Sequence, residues 1–256
     1  MDTRGTSKAE TTLPTALAAL VHPDKDVRQQ AAVGLGERAD PRLAPAIAQL
    51  LWRESDFFVR ETLTWVLTRT PATATEAATA ALADPDASVR LQALHVLSKI
   101  ADPDSAAVVA AQLEDHDPGV VDKARWALAR IGDPSVIPLL VDRLGQTDLA
   151  GRDAMTTTLA QFGAAAVPSL VSALGDEDPS VRAHAADVLC FIGAPGAVPA
   201  ITALVGLLGD DHPDVRMSAT LALRELVDHP SVRSALQHAA ATHDDARVRA
   251  IASASI

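Results

Sequence analysis

With 256 residues and 22 Lys plus Arg against 33 Asp plus Glu, the chain carries a net charge of −11, which repels phosphate backbones at long range and speaks against general nucleic-acid binding. Its hydrophobic residues, 48% of the total, include no Tyr, and aromatics make up only 3%. The core must therefore be built from Ala, Leu, Val and Ile. A single cysteine, Cys190, excludes an intramolecular disulfide and a multi-cysteine zinc site and fits a cytoplasmic location.

Residues 1–12 are polar and mixed in charge, without the apolar stretch of a secretory signal, and read as a flexible tail. No run of eighteen apolar residues follows, so no membrane span is expected. A Val-Arg step then recurs about every thirty-one residues, at Val27-Arg28, Val59-Arg60, Val89-Arg90, Val181-Arg182, Val215-Arg216 and Val248-Arg249. Val120-Val121 and Gly151-Arg152 fill the gaps as degenerate copies. A fixed period of this length means stacked copies of one supersecondary unit, so 13–256 reads as a single solenoid.

In chain order, 13–21 looks like a second helix lacking its first. The second full copy departs from the others at its turn, where Phe57 and Phe58 replace the usual Pro and Ser between Trp52 and Trp65. This segment is either an interaction edge or a plug for missing aliphatic volume. The copies at 86–113, 117–144 and 148–174 show a capping Asp, an apolar-periodic helix and a second helix introduced by Asp102-Pro103, Asp133-Pro134 or Val167-Pro168. The clearest copy opens with Asp178 as cap and Pro179 in the first turn. Its Ala185, Val188 and Leu189 share a face, and Gly193 supplies the stop. Its second helix is predicted from about Gly196, with Val198, Ile201 and Val205 inward. The segment 245–256 reads as a first helix lacking its second, so half repeats cap both ends.

Asp178-Pro179-Ser180-Val181-Arg182, then Ala185-Ala186, Leu189, Ile192-Gly193 and a Pro-led second helix, resembles the short bacterial HEAT repeat named after phycobilisome lyases. The resemblance implies an all-α, right-handed α-solenoid of about seven to eight stacked helix-turn-helix repeats. It does not imply one function, because proteins with such repeats include scaffolds, bilin lyases and an iron hydroxylase. The hydroxylase uses paired His-Glu steps, and here no His is followed by Glu. His116-Asp117 and His243-Asp244 fall in turns where the aspartates serve as caps, and Cys190 has no His one helical turn away. No metal or other cofactor is expected.

Two constellations remain. Arg28, Arg60, Arg90, Arg182, Arg216 and Arg249 mostly follow a capping-type Asp by four residues, as in Asp86 to Arg90 and Asp178 to Arg182. That spacing lets them form a structural ladder within or between repeats. Six residues after each opening valine, the position holding Val33, Trp65, His95 and Trp126 should point away from the core. Either these rings form an exposed row, or they tuck into gaps left by small neighbours. The expected function is a non-catalytic, monomeric protein-binding scaffold, with Trp52, Phe57, Phe58, Trp65, His95 and Trp126 as candidate partner contacts. The alternative is an enzyme, or an enzyme-associated factor, like the lyases or hydroxylases.

Overall fold

The computed structural model describes residues 17–145 and 148–256, which are helical apart from turns, without a strand. The expected tail at 1–12 and the start of the first half repeat lie outside the described residues. Packing divides the chain into two compact units, 1–131 and 132–256.

In the first unit, four first helices, α1 (Lys25–Arg38), α3 (Phe57–Thr68), α5 (Ala87–Ile100) and α7 (Pro118–Ile131), pack one against the next. Between them in sequence lie the second helices α2 (Ala44–Leu51), α4 (Pro71–Ala81) and α6 (Ala106–Ala111). The second unit repeats the plan. Its first helices are α9 (Leu149–Ala160), α11 (Pro179–Ile192), α13 (Pro213–Arg224) and α15 (Ala246–Ala254), and its second helices are α8 (Ile137–Val141), α10 (Val167–Ala173), α12 (Ile201–Gly206) and α14 (Pro230–Thr242).

Most first helices form because an acidic cap precedes an apolar stripe, α13 being an exception, since His212 before it makes no capping hydrogen bond. Asp24, Asp56, Asp86, Asp178 and Asp245 turn their carboxylates onto first-turn N–H groups that no helical carbonyl can reach. The residues four, seven and eight after the opening valine are buried in repeat after repeat, as Ala93, Val96 and Leu97 or Ala185, Val188 and Leu189. Burying one Leu in this way contributes about 1.5–3 kcal/mol. Gly193, at φ 58°, ends α11, with its N–H donating to the Leu189 carbonyl at 3.0 Å.

The second helices begin differently from the sequence expectation. Most open with a tighter 3-10 turn, as at Pro41–Leu43, Pro103–Ser105, Pro134–Val136 and Val198–Ala200. The 3-10 geometry advances fewer residues per turn and shifts the inward face. Ile201 is buried as expected, but Val198 and Val205 are only half-buried, and Ala197, Ala200 and Leu204 take the inner positions.

The repeated arginine closes its own turn and reaches into the next repeat. Nη1 of Arg28, Arg60, Arg90, Arg182, Arg216 and Arg249 donates to one or both carbonyls of the residues five and six positions earlier. The other edge of the guanidinium meets an acid from the next repeat. Arg28 pairs with Glu54 at 2.7 Å, Arg90 with Asp115 at 2.7 Å, Arg182 with Asp210 at 2.8 Å and Arg216 with Asp245 at 2.8 Å. Asp86 and Asp178, four residues before their arginines, form no ion pair with them because their carboxylates accept the N–H groups of Ser88 and Ser180. Among the described residues Arg60 and Arg249 have no acid from a following repeat.

Candidate functional site

The outward side of α1, α3, α5 and α7 carries most of the residues singled out from the sequence. Trp65 and Trp126 are 42% and 38% exposed. Each ring leans back across the preceding first helix. The six-membered ring of Trp65 covers Gly36 on α1, where an added Cβ would stand 2.0 Å from Trp65 Cζ3. Trp126 stacks on His95 of α5, with ring centroids 6.1 Å apart and planes 14° apart. The two sequence-based alternatives, exposed row or tucked rings, are thus each met by half of the same side chain.

His95 is the centre of a polar chain that the sequence reading missed. Lys123 Nζ lies 3.8 Å from the centroid of the Trp126 ring and 3.1 Å from His95 Nδ1. On the other side, His95 Nε2 lies 2.8 Å from Glu61 Oε1. Glu61, one turn before Trp65, and Lys123, one turn before Trp126, belong to the same surface by helical spacing. Burial, then the charge of Lys123, holds the His95 pKa below its ordinary value. Burial also lowers the pKa of Lys123 despite the pull of Glu61. An imidazole kept neutral stacks on indole without a charge to desolvate.

Phe57 and Phe58 are 58% and 67% exposed, so they plug no gap in the core. They meet edge to face at 5.5 Å, and the Arg60 guanidinium stands 6.0 Å from the centroid of Phe57. Phe58 lies seven residues before Trp65, on the same helical face two turns away. Trp52 sits apart. It caps the C-terminus of α2, half-buried, and makes no ring contact with Phe57, Phe58 or Trp65.

Among the described residues no three His, Cys, Asp or Glu side chains converge as metal ligands. His243 has both ring nitrogens engaged, Nδ1 accepting the Asp245 N–H at 3.0 Å and Nε2 facing the Leu208 carbonyl at 2.7 Å. Cys190 is half-buried, and burial pushes its thiol pKa up, away from thiolate chemistry. No helix among the described residues is long and apolar enough to cross a membrane.

The profile of HEAT repeats matches residues 3–68, 75–160, 147–206 and 167–256. The chain belongs to the HEAT-repeat family. This HEAT-repeat chain shares its fold with Kap95p in a complex with RanGDP, at 14% identity and a TM-score of 0.57, over 96% of its own length and 40% of that chain. Human deoxyhypusine hydroxylase aligns at 20% identity and a TM-score of 0.42 over 98% of this chain and 96% of that one. The CpcE and CpcF complex of phycocyanin lyase from Nostoc sp. PCC7120 aligns at 22% identity and 0.40, over 94% and 93%. A sequence search of curated proteins finds no match. The fold is therefore an all-α HEAT-repeat solenoid.

Proposed function

We propose that this HEAT-repeat chain is a non-catalytic scaffold that binds a partner protein through the outward face of α1, α3, α5 and α7. The observation that carries this reading is the exposure of Trp65 and Trp126 on equivalent positions of α3 and α7, in a chain with only 3% aromatics. Large aromatics left half in water on a rigid helical array are suited to act as binding anchors, since a few such residues supply most of the affinity of a protein interface. Phe57 and Phe58 extend the surface toward the start of α3. The net charge of −11 favours a protein partner over nucleic acid. The single cysteine suits the cytoplasm, and we take 13–256 as one continuous array acting as a monomer.

Affinity capture from native lysate with the wild type and a Trp65→Ala/Trp126→Ala variant tests this surface, once circular dichroism shows both folded. A partner held by the wild type and lost from the variant is expected. A partner retained equally by both places the docking surface elsewhere.

A further inference from the structure

Four residues after Trp65, His95 and Trp126, on the same side of their helices, stand Arg69, Lys99 and Arg130, whereas the matching position on α1 holds Glu37. All three cations are exposed, and none has an ion-pair partner among the described residues. Because α3, α5 and α7 pack in succession, these cations form a row parallel to the aromatic row. In a chain with net charge −11, three consecutive cations without an ion-pair partner are a local reversal of sign.

A cation in the last turn of a helix complements the helix dipole, which alone could account for them. Ten residues after the opening position, however, α1 has Glu37 and the second unit has Gln161, Phe191 and Glu225, so the fold does not require a cation there. Arg224, one residue earlier on α13, is neutralised by Glu225 at 3.1 Å. The nearby acids in the first unit are partly committed: Asp40, Asp102 and Asp133 accept backbone N–H groups of the turns that follow, while Glu37 remains exposed beside Arg38. The field of Lys99 reaches the aromatic cluster, where it disfavours the charged forms of both His95 and Lys123. An incoming carboxylate would relieve that repulsion.

We infer that the outward face of α3, α5 and α7 is a track for an extended acidic segment of the partner protein, its carboxylates meeting Arg69, Lys99 and Arg130 and its apolar residues resting on Trp65 and Trp126. Packed helices lie about 8–10 Å apart, and an extended chain rises about 3.3 Å per residue. One carboxylate every third residue therefore matches one cation per repeat. The charge row sets orientation and association rate, and the rings supply apolar contact. This inference rests on the docking surface proposed above and adds the chemistry of its occupant.

The test uses the full chain and fluorescein-labelled peptides (Glu-Ser-Phe)5 and (Gln-Ser-Phe)5, with labelled oligothymidine as the nucleic-acid comparison, read by fluorescence anisotropy. The glutamate peptide is expected to bind at least about tenfold tighter than the glutamine peptide and to weaken with salt. The Arg69→Gln/Lys99→Gln/Arg130→Gln variant, whose replaced side chains make no hydrogen bond or ion pair among the described residues, should abolish that preference while melting like the wild type. Equal binding of both peptides, lost on Trp65→Ala/Trp126→Ala, would overturn the acidic track and leave the docking surface standing. A glutamate preference erased by the glutamine variant but indifferent to the tryptophans would keep the track and remove the aromatic anchors. Binding of neither peptide, or tighter binding of oligothymidine, overturns the inference.

Discussion

The guanidinium of Arg90 reaches 25 residues along the chain to Asp115, at 2.7 Å, while Asp86, four residues before it, caps its helix. Asp115 in turn accepts the N–H of Asp117, the residue that opens the next helix, at 2.8 Å. One side chain therefore ties the start of α5 to the turn before α7. The Arg90 hydrogen bond, with its charge, holds the Asp115 carboxyl below the usual carboxylate range. Both side chains are nearly buried, at 4% and 7% exposed.

Removing one partner leaves the other charged and poorly solvated, which costs more than losing the contact itself. Arg90→Ala is expected to lower the urea midpoint clearly, whereas the exposed Arg38→Ala stays within about 0.5 kcal/mol. Asp115→Asn should fall between them, because the amide keeps an acceptor for the Asp117 N–H. Equal midpoints for the Arg90 and Arg38 variants would show that the ladder adds nothing to stability.

The local parts of this fold were legible because they depend on neighbours in sequence. Asp178 before Pro179, Ala185 with Val188 and Leu189, and Gly193 as a stop each express a rule spanning a turn or two. The links that span a whole repeat were not. Nothing in the spacing says that Arg90 prefers Asp115, that Trp65 covers Gly36 or that Lys123 stands beside His95, since each depends on how one layer sits on the next. The basic row could have been found in the sequence, by reading position ten of each repeat as well as position six.

His184 lies fully buried on α11 with its ring bonded on both sides. Nδ1 accepts the Gly145 N–H at 3.2 Å, while Nε2 faces the Arg152 carbonyl at 3.1 Å and Thr156 Oγ1 at 3.0 Å. Burial, then the nearby Arg152 charge, pushes its pKa down to about 4. The unfolded chain takes up this proton near the ordinary pH of about 6.5. Between those values the unfolded state binds the extra proton, so stability falls as pH is lowered from about 6.5 toward 4, by roughly 3 kcal/mol in all. Urea titrations between pH 7 and about 4.5 should show this slope in the wild type and lose most of it in His184→Gln. An unchanged slope in the variant assigns the acid sensitivity to other groups.

Ala101 ends α5 in the left-handed region at φ 55°, its N–H donating to the Leu97 carbonyl at 2.8 Å. Gly132 takes the same place after α7 at φ 71° without crowding a β-carbon. A left-handed non-glycine residue costs roughly 1–2 kcal/mol, part of which glycine returns as entropy of the unfolded chain. Ala101→Gly should therefore stabilise the protein by about 0.5–1 kcal/mol, and Gly132→Ala destabilise it by a similar amount, in paired thermal melts. Both substitutions destabilising would mean that the Ala101 methyl makes contacts worth more than its strain.

Gly36 is buried beneath Trp65, and no side chain fits between them, since a Cβ there would stand 2.0 Å from Cζ3 of the ring. Gly36→Ala must therefore push the indole outward or part α1 from α3. Overpacking of this kind costs about 1–3 kcal/mol, set against the gain of replacing glycine within a helix. With Trp65 already replaced by Ala, only the gain remains, and Gly36→Ala should then stabilise. A double-mutant cycle measured by urea unfolding should accordingly return opposite signs for the same substitution in the two backgrounds. If Gly36→Ala has the same effect with and without the indole, Trp65 does not rest on this glycine in solution, and the ring is freer than the geometry of α1 and α3 implies.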